Sequence, residues 1–149
     1  MLLSLKINNC MIYNSEVEFS MRANMHYKRF PNNVANHNNI NVLKTAVIIG
    51  PNNSGKTNLV RIIGCVRDIM LGKGAVLINN LFSNNPIAEI SVSFLENGEE
   101  YLFEIKYNTL KKEYVYECFA LIEHDEYKNT KVTNILLRDY INTNFFFSG

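Results

Sequence analysis

The run Gly50-Pro51-Asn52-Asn53-Ser54-Gly55-Lys56-Thr57 satisfies the pattern G-x-x-x-x-G-K-[ST], and each fixed position has a chemical task. Gly50 permits a sharp exit from the preceding segment, and Gly55 lets the backbone approach an anion where a Cβ would clash. Successive amide N–H groups of such a loop, and of the helix it opens, converge on phosphate oxygens with the positive end of the helix dipole behind them. A lysine at position 56 reaches the β- and γ-phosphates of a nucleoside triphosphate, and the Thr57 hydroxyl completes a Mg²⁺ shell. The candidate cofactor-binding residues are therefore Gly50, Pro51, Asn52, Asn53, Ser54, Gly55, Lys56, Thr57 and Asn58, with Thr57 also the metal ligand.

The loop needs a strand before it and a helix after it. Ala46-Val47-Ile48-Ile49 is apolar, and Lys44 to Ile49 is expected to form a buried central strand. Leu59, Ile62, Ile63, Val66, Ile69 and Met70 recur at helical spacing, which predicts an amphipathic helix from Asn58 to Leu71. Gly72-Lys73-Gly74 ends it with glycine in the usual C-terminal place. Upstream, Leu3, Leu5 and Ile7 alternate with polar neighbours, as do Val17 and Phe19, predicting two half-buried strands. Residues 21 to 43 are rich in asparagine and broken by Pro31, and are expected to be a long loop. The Lys28-Arg29 pair within it is a solvated surface pair that could touch a phosphate. Residues 75 to 86 are also loop-like. Beyond them the period falls to two: Ile90, Val92 and Phe94, then Tyr101, Phe103 and Ile105, with Asn97-Gly98 between as a type I′ hairpin turn. A third strand from Tyr114 to Leu121 and a fourth from Val132 to Leu137 extend an antiparallel meander whose aromatic side chains serve packing. Asn144-Phe145-Phe146-Phe147-Ser148-Gly149 is apolar with no turn logic after it and reads as a cut end.

Composition sets the outer bounds. A chain of 149 residues with 47% apolar and 19% charged residues has the make-up of one globular domain. Its net charge of +1 gives no general electrostatic reason for nucleic acid or an acidic membrane as partner. Cys10, Cys65 and Cys118 are odd in number, widely spaced and set among apolar residues, which favours buried reduced thiols over disulfides or zinc ligands. His26, His37 and His124 share no metal-ligand spacing. No apolar stretch approaches a membrane span and no secretory signal opens the chain, so no membrane partner and a cytoplasmic location are expected.

The class of nucleotide follows from what surrounds the loop. No N-K-x-D guanine-reading motif is present and two strands precede the loop, so ATP is favoured over GTP. Leu5-Lys6-Ile7-Asn8-Asn9, Glu16-Val17-Glu18-Phe19-Ser20 and the segment from Ala46 to Asn58 together resemble the N-terminal portion of ABC-type ATPases of the RecF/SMC/OLD group. More narrowly, they resemble bacterial AAA-family ATP-binding proteins linked to abortive phage infection and restriction loci. The resemblance implies an α/β fold, the N-terminal half of a P-loop NTPase (ABC-type) head with a flanking antiparallel β-meander. It also implies ATP and Mg²⁺ as cofactors, and a second ATPase head or a separately encoded remainder as partner. A DNA contact would rest on analogy alone. The domain expectation is a single, incomplete P-loop ATPase domain over 1–149, with N-terminal strands in 1–20, the strand–loop–helix unit in 44–72 and the meander in 87–140.

The pattern departs from those relatives in ways that bear on activity. Where they carry N-F-[KR], this chain has Asn9-Cys10-Met11. It contains no glutamine, so the glutamine that places Mg²⁺ and water is missing, as are a signature Ser-Gly motif and a switch histidine. Phe119-Ala120-Leu121-Ile122-Glu123-His124-Asp125-Glu126 mimics an apolar strand ending in acids, but it continues a meander strand and is expected to be a solvated strand end. No catalytic residue is assigned, and Tyr13 is a candidate for stacking on adenine. The expected function is ATP binding by a truncated or split ATPase linked to phage defence; the alternatives are a non-catalytic nucleotide-binding or interaction module and an inert gene fragment.

Overall fold

A computed structural model describes residues 1–24, 30–38, 40–74, 77, 80, 82–124 and 130–148. Its main body is an antiparallel sheet. Strand β1 (Leu2–Asn8) pairs with β2 (Val17–Ser20) on one side and with β5 (Ile87–Glu96) on the other. From β5 the sheet continues through β6 (Glu99–Asn108), β7 (Glu113–His124), β8 (Thr130–Asp139) and β9 (Asn144–Phe147), giving the order β2-β1-β5-β6-β7-β8-β9. Each neighbouring pair is antiparallel. A separate hairpin of β3 (Val34–His37) and β4 (Ile40–Leu43) lies between β2 and the single described helix, α1 (Lys56–Met70).

The meander forms where the alternation predicted it, and its turns have the expected chemistry. Asn97 and Gly98 both take positive φ, 52° and 86°, as a type I′ turn requires, and Glu96 faces Glu99 across it. Phe94, Tyr101 and Phe119 stack across three neighbouring strands at centroid separations of 5.8 and 5.4 Å, a cross-strand packing ladder. Helix α1 lays Leu59, Ile62 and Val66 onto one sheet face, where they meet Leu5, Ile7, Ala88, Ile90, Val92, Ile105 and Tyr107. A fifteen-residue helix is marginal by itself in water. Burying three aliphatic side chains contributes about 5–9 kcal/mol before entropy is counted, so packing holds this helix in place. Its C-terminus is a Schellman motif: Lys73 N–H donates to Asp68 O, Gly72 N–H to Ile69 O, and Gly72 has φ 68°.

A second, smaller cluster joins Leu3, Val42 and Leu95, with Met21 and Ile40 beside it. A bulge between Leu2 and Ser4 turns Leu3 out of the β1 alternation, and the β3–β4 hairpin covers it. At the same end of the sheet the Glu100 carboxylate, only 2% exposed, is held by Arg22 and by His124 Nε2 at 3.1 Å.

Two expectations are corrected. Residues 21 to 43 are not one long loop: Pro31–Asn33 forms a short 3-10 turn, and Val34–His37 with Ile40–Leu43 the hairpin. Its reversal is at Asn38, where φ is 48°, and the alternation of Val34, Ile40 and Val42 was hidden by the asparagines around it. Lys44 to Ile49 is not a buried central strand. It is irregular, and Val47 and Ile49 are 81% and 89% exposed. A strand needs hydrogen-bonded neighbours for its backbone, and among the described residues none pairs with 45–49; the segment's ties run to Asn33, whose backbone O accepts from Lys44 N–H and whose Nδ2 donates to Thr45 O. Asn144–Phe147, to which the sequence assigned no element, forms the edge strand β9, paired with β8 from Leu136 to Asp139. Among the described residues the structure is mostly antiparallel β with one α-helix, the expected meander included. The Lys28-Arg29 pair and the acids Asp125 and Glu126 lie outside the described residues.

Candidate functional site

The loop from Gly50 to Thr57 leads into α1 as the sequence motif requires. Gly55 is the N-cap residue with φ 92°, and it offers no side-chain acceptor, so the first-turn N–H groups of Lys56, Thr57 and Asn58 are left without a side-chain cap. No acidic residue occupies the first turn, which leaves the positive end of the helix dipole uncompensated. A Cβ on Gly55 would come within 2.5 Å of Ile12 Cδ1, and the left-handed φ alone disfavours any other residue there. Asn53 also takes positive φ, at 63°, and Ser54 N–H closes a turn onto Pro51 O at 3.3 Å.

Lys56 folds back over the loop. Its ammonium donates to Gly50 O at 2.7 Å, Pro51 O at 2.6 Å and the Ser54 hydroxyl at 3.2 Å. The charge thus sits at the mouth of the loop, tethered to three oxygens. Thr57, Asn52 and Asn53 are exposed, and Asn58 is half-buried at the helix start. All nine candidate residues are therefore gathered in one loop and first helical turn.

This arrangement suits a phosphate group: uncapped amides, a positive helix end and a lysine cation converge at one place. To engage a phosphate, Lys56 would exchange at least one of its present oxygens for an anionic one, a stronger charge-assisted bond. A hydroxyl such as that of Thr57 can serve as one ligand of Mg²⁺. Among the described residues no group of three or more His, Cys, Asp or Glu side chains forms a ligand cluster.

One contact escaped the sequence reading. Tyr13, a candidate for stacking on adenine, donates its hydroxyl to Gly55 O at 3.1 Å. Burial, with Cys10 beside it, holds the phenol above its ordinary value, so it stays a donor through neutral pH. No local signal in the sequence could reveal a contact between residues forty-two apart; only the packing of the β1–β2 connection against α1 creates it. Cys10 and Cys118 are buried and Cys65 half-buried, none of them in a disulfide.

Fold and loop together define a class: a mostly antiparallel β domain whose one described helix opens from a glycine-rich, lysine-bearing loop suited to an anion. The family described as "AAA domain, putative AbiEii toxin, Type IV TA system" matches residues 46–149, and the chain belongs to that family, as an AAA-type ATPase-like domain. A comparison with curated proteins gives no match.

Proposed function

We propose that this chain binds Mg-ATP through Gly50 to Asn58 and forms the nucleotide-binding half of an ABC-type site of the RecF/SMC/OLD kind. The observation that carries this reading is Lys56: its ammonium is poised over the loop at the uncapped N-terminus of α1. In such a site catalysis is positioning and charge neutralisation. This chain supplies the amide cradle, the Lys56 charge and the Thr57 hydroxyl, and bound Mg²⁺ would offset charge on the β- and γ-phosphates. The water-orienting acid and the loop that closes over the nucleotide come from elsewhere, either a second head or a separately encoded polypeptide.

Exposed apolar surface beside the loop favours such a partner over a self-sufficient enzyme. Val47, Ile48 and Ile49 lie open to solvent, as does Val60 near the start of α1, whereas Met70 and Leu71 at its far end line a groove with Leu2, Val92 and Phe94 of the sheet. Val47, Ile48 and Ile49 are three consecutive exposed apolar residues, and exposed apolar surface of this kind marks an interaction site. The family's association with an abortive-infection toxin supports a role in phage defence.

The decisive measurement is titration of the protein with fluorescent ATP and GTP analogues in the presence of Mg²⁺. ATP is expected to bind more tightly, since no guanine-reading motif is present; equal or tighter GTP binding would sink the ATP assignment. Steady-state phosphate release is expected to stay near background. Robust turnover abolished by both Lys56→Ala and Glu126→Gln would refute the half-site reading and make 119–126 a catalytic strand end.

A further inference from the structure

We propose that the turn from Asn9 to Tyr13 is the positioning element of the phosphate loop, acting through the Tyr13 hydroxyl on the Gly55 carbonyl. This rests on the loop being the polyphosphate cradle proposed above, and it replaces a base-stacking role for Tyr13. The Gly55 carbonyl accepts two hydrogen bonds: from Tyr13 Oη at 3.1 Å and from Leu59 N–H at 3.0 Å, the first bond of α1. In a trans peptide the carbonyl of one residue and the N–H of the next point in opposite directions. Fixing the Gly55 carbonyl therefore fixes the Lys56 N–H, the amide at the very start of the helix, with its hydrogen directed away from Tyr13.

The turn is built to hold that position. Cys10 and Tyr13 exchange backbone hydrogen bonds at 3.1 and 3.0 Å, and Asn9 and Met11 both take left-handed φ, 51° and 54°. The Asn9 side chain is buried and anchors the turn to the start of β5, donating from Nδ2 to Asn85 O at 2.7 Å and Ile87 O at 2.8 Å. Its Oδ1 has no partner, a cost accepted to keep both donors on those carbonyls. Cys10 is fully buried among the residues that also receive α1. Ile12 then fills the space beside Gly55 where a Cβ would fall. The ring of Tyr13 packs against the core cluster, so ring and hydroxyl are both engaged on the protein side of the loop.

The test uses two ligands, inorganic tripolyphosphate and ATP, each titrated with Mg²⁺ into the wild-type chain, Tyr13→Phe and Tyr13→Ala, with thermal unfolding of each protein measured without ligand. Loss of one neutral hydrogen bond corresponds to roughly a three- to tenfold loss of affinity. Tyr13→Phe, which removes only the hydroxyl, is expected to weaken both ligands by the same factor in that range while lowering the melting temperature by at most a few degrees. A base-stacking role predicts instead that Tyr13→Phe binds normally while Tyr13→Ala loses ATP but not tripolyphosphate, and that result would overturn the proposal. So would affinity lost only in step with the melting temperature, which marks a purely structural residue. Wild-type protein that binds neither ligand would overturn the nucleotide reading and this assignment with it. Wild-type binding alongside an unaffected Tyr13→Phe would overturn this assignment alone.

Discussion

At the scale of single residues, Lys56 and Gly55 separate two kinds of dependence on the same loop. Lys56 acts by charge, so Lys56→Ala should leave the fold intact and cost the triphosphate about 1.5–3 kcal/mol, or one to two decades in Kd. Isothermal titration of the folded variant checks this; wild-type affinity in Lys56→Ala would mean that the loop is not a phosphate cradle. Gly55 acts by shape. Gly55→Ala asks an L-residue to hold φ 92° and to share space with Ile12 Cδ1. It should therefore lower both the stability and the affinity, the former by roughly 1–3 kcal/mol of backbone strain. A Gly55→Ala protein as stable as wild type would show that the loop relaxes readily around position 55.

At the scale of elements, α1 carries the site and the sheet carries α1. Ile62 is fully buried in the centre of the helix stripe, so Ile62→Ala should cost about 2–5 kcal/mol through lost burial and a cavity. Chemical denaturation gives the number directly. A loss below 1 kcal/mol would mean that the helix is not held by this face. The outer face of the same helix behaves differently: Val60→Ala, at a position 62% exposed, should change stability by less than about 0.5 kcal/mol. The contrast between the two substitutions tests the assignment of inner and outer faces, and with it the apolar surface available to a partner.

At the scale of the whole molecule, the titrating groups define a stability window. Burial raises the thiols of Cys65 and Cys118 and the phenols of Tyr13, Tyr114 and Tyr116 above their ordinary values. For Cys118 a hydrogen bond with Tyr116 offsets part of that rise. Such groups hold their protons more firmly when folded, so their contribution is complete below the unfolded values of 9.0 for thiols and 10.0 for phenols and is lost as pH rises further. Two carboxyls act in the opposite sense. Burial pushes Glu89 up, but hydrogen bonds from Lys106 and Asn8 and the Lys106 charge outweigh it. Hydrogen bonds from Asn142 and Ile141 lower Asp139. Their contribution is present above the unfolded values of 4.5 and 3.8 and is lost as pH falls through the lowered folded values. Through these groups, stability measured by denaturant midpoint should fall as pH rises above about 9 and as pH drops below about 4.5. A midpoint still rising between pH 9 and 11 would contradict the buried placement of these phenols and thiols.

What the sequence determined by itself is what local rules encode. The G-x-x-x-x-G-K-[ST] motif is contiguous, so its residues lie together in one loop and helix start whatever the fold around them. Helix α1 announced itself by the spacing of Leu59, Ile62 and Val66, and its stop by Gly72. The β5–β6 hairpin was written in Asn97-Gly98, because only certain residues accept positive φ at both turn positions. The tertiary structure decided whatever depends on a distant partner. Ala46-Val47-Ile48-Ile49 has the composition of a buried strand, yet a strand exists only where another backbone meets its hydrogen-bonding groups, and none of those described does. The joining of β1 to β5 across most of the intervening chain, the covering of Leu3 by the β3–β4 hairpin and the reach of Tyr13 to Gly55 are all long-range. No period or turn signal encodes them, since each is the outcome of side chains competing for the same buried surface once the sheet has formed.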